Sequence, residues 1–244
     1  MRRPPVIAEQ ARNAHGLLGR VIAFIMARET WAANLRAIEA LDIRDGDHVL
    51  DVGCGHGRSL AALAARTPGG RVVGADPSEL MAGIAMARNR DLIKRRRVDV
   101  AIAGVEGLPF DDGRFDRALC VHVVYFWKDL DAALEEIARV LKPGARLVMI
   151  LRTSADPAVS RFPAEVYRFR PLDEVLTALR AAGLEPEVDD HAREPVLVSA
   201  RKRTAGKNSA RDAPPLGTVQ GAGVEPLPRE SSREARCEGE RETG

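Results

Sequence analysis

The sequence predicts an α/β domain in which helices cover both faces of a mostly parallel β-sheet. Short runs of β-branched residues alternate with longer stretches of helical periodicity, as in strand–helix–strand units. A glycine-rich turn joins the first such strand to the next helix. Of the 244 residues, 45% are apolar, which is enough for one well-buried core. These three observations favour one α/β domain over an all-helical or all-β fold.

Seven segments have the composition of strands. They are residues 48–52, 71–76, 98–103, 115–121 and 146–151, with a closing pair near residues 185–188 and 195–200. Helices are predicted at residues 59–66, 78–89, 130–141 and 172–182. Ser78 is a favourable N-cap, while Lys142, Pro143 and Gly144 are expected to end one helix and Gly183 the next.

The chain divides into three predicted parts. Residues 1–43 form an N-terminal helical segment, residues 44–203 the domain, and residues 204–244 a tail. The tail is rich in Gly, Pro, Ser, Arg and Glu, so it is expected to be disordered. In the N-terminal segment, apolar residues fall on one side of a helix, namely Leu17, Leu18, Val21, Ile22, Ile25 and Met26. This helix is either a cover for the sheet or a lid over a ligand site.

Charge and cysteine content restrict the class of protein. The 37 basic and 35 acidic residues nearly cancel to a formal charge of +2, which gives no general attraction to nucleic acid or membranes. Cys54, Cys120 and Cys237 have no paired spacing, so neither a disulfide framework nor a metal site is expected. The most apolar early stretch is too short and too charged to span a bilayer. A cytoplasmic protein without stable membrane insertion is expected.

The segment HVLDVGCGHGRSL is the most informative part of the chain. A buried-looking strand ends in Asp51 and continues through Gly53, Gly55 and Gly57 into a helix. Such glycines let the backbone approach a ligand, and the helix N-terminus suits a carboxylate or phosphate. A dinucleotide site would have the spacing G-x-G-x-x-G, whereas the third glycine here comes one place earlier and an acid precedes the first. The spacing therefore favours S-adenosylmethionine over NAD.

Four motifs occur in order: LDVGCGHG, GADPSELM, GLPFDDGRFD and ARVLKPGARLVMI. Together they resemble the class I S-adenosylmethionine-dependent methyltransferase family, in its small-molecule branch with the ubiquinone and menaquinone methylases. The resemblance covers roughly residues 44–200. It implies a Rossmann-like fold with a seven-stranded, mostly parallel sheet and helices on both faces. It also implies methyl transfer from S-adenosyl-L-methionine, with a small-molecule acceptor as partner and no nucleic acid.

The resemblance implies a set of cofactor-binding residues. It comprises Asp51, Gly53, Cys54, Gly55 and Gly57 around the methionine part, Asp76 on the ribose, Pro77 against the adenine, and Val105, Glu106 and His122. At the position where family members often have an acid or small polar residue for the adenine amine, this chain has Gly104. The backbone of Val105 is then the expected adenine partner.

The segment LCVHVVYFWKDL follows the fourth strand, where open α/β sheets place the reacting centre. His122 is expected either to line the cofactor pocket or to accept a proton from the acceptor, and Tyr125 is the weaker catalytic candidate. Trp127 lies in the same segment. His56 is expected to face solvent, and the basic run at residues 94–97 is expected to be a solvated surface.

The acceptor is predicted to be partly apolar. Two segments can cover the pocket, with Leu18, Ile22, Ile25 and Trp31 in the first and Phe162, Tyr167 and Phe169 in the second. Cys54 is expected to be a small packing residue, although the adjacent helix N-terminus could make its thiol reactive. The sequence gives no indication of oligomeric state.

Three other functions remain open at this stage. A nucleic-acid methyltransferase would account for the basic run, but the Asn/Asp-Pro-Pro-aromatic motif is replaced by Val121, His122, Val123 and Val124. The Pro-Cys nucleophile of cytosine methylation is also missing, because Cys120 follows Leu119. A non-catalytic scaffold that binds S-adenosylmethionine is compatible with Gly104, because this residue replaces the usual side chain that contacts the adenine amine. A nicotinamide oxidoreductase is disfavoured by the glycine spacing.

Overall fold

The computed structural model describes residues 4–12, 14–189 and 195–204. In this part of the chain, seven strands form one sheet. They are β1 (His48–Val52), β2 (Arg71–Asp76), β3 (Val98–Ile102), β4 (Phe115–Val121), β5 (Leu141–Leu151), β6 (Leu184–Val188) and β7 (Val196–Lys202). The strand order is β3-β2-β1-β4-β5-β7-β6. Strands β1 to β5 run parallel, and β7 is antiparallel to both of its neighbours.

The described residues also form eight α-helices. They are α1 (Pro5–Arg12), α2 (Gly16–Glu29), α3 (Trp31–Ala40), α4 (Arg58–Arg66), α5 (Glu79–Arg88), α6 (Arg90–Lys94), α7 (Leu130–Val140) and α8 (Leu172–Ala181). Short 3₁₀ turns occupy Val124–Phe126 and Pro157–Arg161. Ser78 caps α5 as predicted, with its hydroxyl accepting a hydrogen bond from the Met81 N–H.

The sheet is buried on both faces, because successive side chains of each strand point to opposite sides. Val49 of β1 packs in one apolar cluster with residues of α3 and α4, such as Ile38 and Leu63. The next residue, Leu50, belongs to the cluster on the other face, which includes Ile137 of α7 and further residues of α8. The predicted arrangement of helices on both faces of a mostly parallel sheet is therefore confirmed.

Strand β5 begins earlier than the sequence predicted. Leu141 follows α7 directly and pairs with Phe115, so the segment through Pro143 and Gly144 is extended strand instead of a separate loop before Arg146. A register shift in β4 between Phe115 and Arg117 accommodates these extra residues. The predicted helix end is thus confirmed to within one residue, whereas the predicted start of the strand at residue 146 was five residues too late.

The N-terminal segment contains three helices instead of one amphipathic helix. In α2, Ile22 is buried, but Leu18, Val21 and Ile25 are 46–57% exposed, so the predicted apolar stripe is not buried as a unit. Helix α2 packs on α1, α3 and α5, whereas α3 packs on β4 and β5. The side chains of Leu17 and Met26 are outside the described residues.

The predictions about the tail and about Cys237 fall largely beyond the described part of the chain. The tail at residues 204–244 lies outside it from residue 205 onward, as does Cys237. Within the described ranges, no helix has the length and apolar character needed to cross a membrane.

Candidate active site

A cavity of about 590 Å³ opens at the carboxyl ends of β1, β2 and β4. This is the edge at which open α/β sheets bind their ligands. Of the predicted cofactor residues, all but Gly57 line this cavity, and Gly104 lines it as well. These ten wall residues are Asp51, Gly53, Cys54, Gly55, Asp76, Pro77, Gly104, Val105, Glu106 and His122. The structure therefore brings these residues, which come from four separate chain segments, around one space.

The glycine-rich turn after β1 has a conformation that other residues rarely adopt. Gly53, Gly55 and Gly57 all have positive φ angles, of 71°, 52° and 69°. A Cβ atom on Gly53 would lie 2.4 Å from Val123 Cγ1, and one on Gly57 would lie 2.6 Å from the Ala85 Cβ. At Gly55, by contrast, a Cβ atom would meet no atom within 4 Å, because this residue faces the cavity. Gly53 and Gly57 thus shape the turn, while Gly55 borders the space for a ligand.

Asp51, the penultimate residue of β1, is a buried carboxyl group, 3% exposed. Its Oδ2 accepts a hydrogen bond from the Ser59 hydroxyl on the first turn of α4. Burial raises the pKa of Asp51 to about 7, although the Ser59 hydrogen bond lowers it; the charge of Asp76 raises it further. Ser59 was missed by sequence reasoning, and the eight-residue separation from Asp51 is too common a spacing to signal the contact.

Asp76 ends β2, next to Asp51 on the adjacent strand. Its Oδ2 accepts the Gly55 N–H at 2.8 Å and its Oδ1 accepts the Ser78 N–H at 2.9 Å. Burial raises the pKa of Asp76, against the effect of these two hydrogen bonds. An ionised carboxylate has about four acceptor positions, so each oxygen retains one for a ligand hydroxyl. The backbone contacts hold the carboxylate in a fixed orientation.

The loop after β3 forms another part of the cavity wall. Val105 is nearly buried, and Gly104 has open space where a side chain would project. Glu106 Oε1 accepts the N–H groups of Lys128 at 3.1 Å and Asp129 at 3.4 Å, just before α7. Glu106 therefore ties this loop to the segment after β4, in addition to lining the cavity.

His122 follows β4 with a positive φ of 59°, which is uncommon for a residue other than glycine. Its N–H donates to the Ile150 carbonyl at 2.8 Å, and its Nδ1 lies 2.9 Å from the Tyr125 hydroxyl. That hydroxyl accepts the Arg152 N–H at 2.6 Å. Burial, and secondarily the charge of Arg152, lower the pKa of His122 to about 4. Both ring residues line the cavity, so the structure brings the two predicted catalytic candidates together.

His56 does not face solvent as predicted. It is half-buried in the cavity wall, and its Nδ1 accepts the Arg58 N–H at 3.2 Å. Burial, followed by the charge of Arg88, lowers the pKa of His56 to about 4. The position of His56 inside the turn, with the ring folded back on the start of α4, explains the error.

Cys54 is a packing residue of the glycine turn. A Cβ atom on Gly74 would lie only 2.7 Å from its sulfur, so the thiol fills the space that this glycine leaves. Burial raises the pKa of the Cys54 thiol well above its usual range, with further increases from Asp51 and Asp76. The alternative of a reactive thiolate is therefore not supported.

The basic run at residues 94–97 is only partly a solvated surface. Lys94, Arg95 and Arg96 are exposed. The Arg97 guanidinium instead donates to the carbonyls of Ala64 at 2.9 Å, Thr67 at 2.6 Å and Gly70 at 3.1 Å, at and beyond the end of α4. Arg97 thus satisfies carbonyl groups that a helix C-terminus leaves unpaired.

The opposite wall of the cavity comes from α3 and from the segment before α8. Trp31 of α3 lines it, with the Arg58 guanidinium 4.0 Å from its ring centroid. Val166 and Arg168 contribute from the other side. The remaining expected acceptor residues do not line the cavity: Leu18, Ile22, Ile25, Phe162, Tyr167 and Phe169.

Phe162, Tyr167 and Phe169 instead form an aromatic cluster behind the wall. Phe169 lies 4.7 Å from Tyr125, and Tyr167 lies 5.0 Å from Phe162, measured between ring centroids. Val166 and Arg168 line the cavity, whereas Tyr167 and Phe169 stack on each other in the aromatic cluster. In the described part of the chain, no cluster of three His, Cys, Asp or Glu side chains could hold a metal ion.

The sheet order, the glycine turn and the acids near the ends of two adjacent strands define a Rossmann-like domain built for a nucleoside cofactor. Residues 50–149 match a family model described as a methyltransferase domain. In residues 50–149 the chain is thus similar to the methyltransferase domain of the class I S-adenosylmethionine-dependent family, whose methyl donor is S-adenosyl-L-methionine.

Individual relatives agree with this assignment. The chain is 40% identical over 111 residues to the methyltransferase GfsG of Streptomyces halstedii, covering 46% of this chain and 40% of that protein. It is 33% identical over 148 residues to a demethylmenaquinone methyltransferase of Symbiobacterium thermophilum, covering 59% of each. The matched region thus spans about three fifths or less of these curated relatives.

The fold is also shared with solved structures. A S-adenosylmethionine-dependent methyltransferase from Aquifex aeolicus superposes with a TM-score of 0.58 at 24% identity, covering 69% of this chain and 87% of that one. At this level of identity the likeness establishes the fold alone.

Proposed function

We propose that this chain transfers the methyl group of S-adenosyl-L-methionine to a small, partly apolar metabolite. The observation that carries the proposal is the pair Asp51 and Asp76. These buried carboxylates lie near the ends of adjacent strands on either side of a glycine turn and border a cavity of about 590 Å³. Such a cavity has room for a cofactor and a small acceptor, within the usual size range of small-molecule sites.

The cofactor roles follow from the available hydrogen-bonding groups. Asp51, once ionised, suits the ammonium of the methionine part, and the start of α4 suits its carboxylate. Asp76 has acceptor positions for both ribose hydroxyls, because Gly55 and Ser78 engage only one on each oxygen. Pro77 and the Val105 backbone flank the place of the adenine.

The acceptor region supports a small and partly apolar molecule. Trp31, Phe126, Trp127 and Val166 provide apolar surface in the cavity wall. Names of relatives point the same way, since they include an O-methyltransferase of Aspergillus sclerotiorum and the demethylmenaquinone methyltransferase of Symbiobacterium thermophilum. The protein then mainly aligns the acceptor with the activated methyl group.

The position of the basic run speaks against nucleic acid as the acceptor. Lys94 to Arg96 precede β3, so they lie at the amino ends of the parallel strands. The cavity lies at the carboxyl ends. A polymer held by these side chains would be at the opposite edge of the sheet from the methyl donor.

Calorimetric titration with S-adenosyl-L-methionine and with NAD tests the cofactor assignment. We expect Gly55→Val to abolish binding of S-adenosyl-L-methionine, because the side chain would project into the cavity. Gly46→Val is the matched control: Gly46 also has a positive φ and open space around it, but it lies outside the cavity wall. Both variants suffer similar backbone strain, so equal affinity in the two would contradict the placement of the cofactor.

Catalysis requires a second experiment, with S-adenosyl-L-methionine and a metabolite extract, in which mass spectrometry identifies a methylated product. Cofactor binding without consumption of the donor in any extract would indicate a scaffold. A filter-binding assay with RNA at rising salt tests the nucleic-acid alternative.

A further inference from the structure

Tyr125 joins His122 to the end of β5. Its hydroxyl oxygen accepts the Arg152 N–H at 2.6 Å and lies 2.9 Å from His122 Nδ1. Tyr125 itself is only 4% exposed, and Phe169 packs at 4.7 Å from its ring centroid. The phenol is therefore held by packing in one orientation, between a backbone donor and an imidazole nitrogen.

This geometry favours one tautomer of His122. A backbone N–H can only donate, so the Tyr125 oxygen acts as acceptor toward Arg152. Its hydroxyl hydrogen is then directed to His122 Nδ1, which accepts it as the unprotonated nitrogen. In a neutral imidazole the other nitrogen, Nε2, bears the hydrogen. His122 lines the cavity, so Nε2–H is the group that it offers to a ligand.

The charged side chains of the cavity wall bear on the charge of the acceptor. Four cations line the cavity, namely Arg12, Arg58, Lys128 and Arg168. Besides the cofactor acids Asp51 and Asp76, the acidic wall residues are Glu106 and Glu165. Glu106 already accepts two backbone N–H groups, so Glu165 is the less engaged of the two. The wall as a whole has as many acids as cations, so positive charge is in excess only where Asp51 and Asp76 are engaged by the cofactor, and such a local excess attracts anions.

We propose that the methyl acceptor is an oxyanion, such as an ionised phenol, enol or carboxylic acid, and that His122 binds it as a donor through Nε2–H. Tyr125 is the positioning residue that holds this tautomer. The inference rests on the proposed methyl transfer and specifies its acceptor. It differs from a general-base role, in which His122 would have to present an unprotonated nitrogen to the acceptor.

The reaction balances without a proton transfer. A lone pair of the acceptor oxygen attacks the methyl carbon, an O–C bond forms, and the C–S bond breaks with its electron pair going to sulfur. The sulfonium becomes the neutral thioether of S-adenosylhomocysteine, and the anion becomes a neutral ether or ester. His122 keeps its Nε2 hydrogen throughout. The low pKa of His122 agrees with this role, because the ring is neutral at ordinary pH and is a weak base.

The tautomer can be measured on the intact protein by NMR of the imidazole nitrogens after ¹⁵N-histidine labelling. The His122 signals are assigned by their loss in His122→Gln, with His48→Gln as a control at an exposed position. We expect the Nε2–H tautomer in the wild type and a mixture of tautomers in Tyr125→Phe. An Nδ1–H tautomer in the wild type would overturn the proposal, and this readout does not depend on methyl transfer.

A pair of probe ligands tests the charge of the acceptor. 4-Nitrophenol and 4-nitroaniline have the same shape, but at pH 8.5 only the phenol is ionised. In calorimetry with S-adenosylhomocysteine bound, we expect the phenolate to bind at least tenfold more tightly, and His122→Ala to reduce this preference. Equal or tighter binding of the aniline would overturn the oxyanion assignment. Failure of the cofactor itself to bind would instead contradict the proposed function.

Discussion

At the scale of single residues, two buried carboxylates, Asp51 and Asp76, border the cavity. Asp51 is the more deeply buried, and its hydrogen bond from Ser59 does not offset the cost of removing a charge from water. The bound cofactor brings a cation to this place. Cofactor binding and ionisation of Asp51 are therefore expected to be linked.

We predict that affinity for S-adenosyl-L-methionine falls as pH falls below 7. The pKa of Asp51 is about 7 in the cofactor-free protein, and the cofactor ammonium lowers it in the complex. Binding below pH 7 thus releases a proton, which weakens affinity by up to about tenfold per pH unit. Calorimetry between pH 5.5 and 7.5 measures the slope. Asp51→Asn should bind weakly with little pH dependence, and a pH-independent wild type would contradict the linkage.

A second prediction concerns the adenine end of the cavity. Gly104→Asp should strengthen cofactor binding by about 0.5 to 1.5 kcal/mol, because the carboxylate would accept a hydrogen bond from the adenine amine. The position has open space for this side chain. Gly107→Asp is the matched control, since Gly107 is in the same loop, equally open, and outside the cavity wall. Unchanged or weaker binding in Gly104→Asp alone would mean that another group already satisfies the amine.

At the scale of elements, local sequence patterns located most of the strands of the sheet and the acids near the strand ends. The bounds of β1, β2 and β4 match the predicted ones, because buried parallel strands have continuous apolar runs bounded by turn residues. Asp51 and Asp76 were found because they lie near the ends of such strands. The contacts of Ser59 with Asp51 and of Val123 with Gly53 depend on tertiary packing, which no local pattern encodes.

The N-terminal helices show the same limit of prediction from local sequence patterns. Periodicity alone could not distinguish α2, which packs on other helices, from α3, which packs on the sheet. Ala37, Ile38 and Leu41 of the α3 region are almost completely buried, so α3 is part of the core. The preceding residues approach the site instead: Arg12 and Ala14 line the cavity, and the Ala14 carbonyl accepts the Ser78 hydroxyl at 2.8 Å.

We therefore predict that removal of residues 1–30 lowers turnover strongly while cofactor affinity stays within a few-fold of the full chain. The reason is that α1 and α2 would act as a lid that excludes water and orients the acceptor. Steady-state kinetics and calorimetry on the truncated chain measure the two effects. Ile38→Ala is the comparison for a core role, and it should cost about 2 to 5 kcal/mol of stability. A comparable loss of stability on truncation would sink the lid hypothesis.

At the scale of the whole molecule, the cavity is formed by segments distant in sequence, including the turn after β1, the loop after β3 and the segment before α8. A ligand that contacts all of them favours the folded state, because the unfolded chain does not offer these contacts together. Cofactor binding should thus be visible in global stability.

We predict that S-adenosyl-L-methionine at one hundred times its Kd stabilises the fold by about 2.7 kcal/mol. For a domain of this size, that corresponds to a rise in Tm of about 5 to 11 °C. Differential scanning fluorimetry measures the shift. NAD at the same concentration should give none, and Asp76→Ala should lose most of the response. A similar rise with NAD would point to a dinucleotide site.

The direction of the last strand has a practical consequence. Because β7 runs antiparallel to β5, the chain at Lys202 to Thr204 returns to the amino ends of the parallel strands, away from the cavity mouth. A chemical linker attached at these residues would therefore lie at the edge of the sheet opposite the cavity mouth. Coupling to a sensor surface at Lys202 to Thr204 is therefore expected to leave the mouth open to analytes, whereas coupling near α1 would obstruct it.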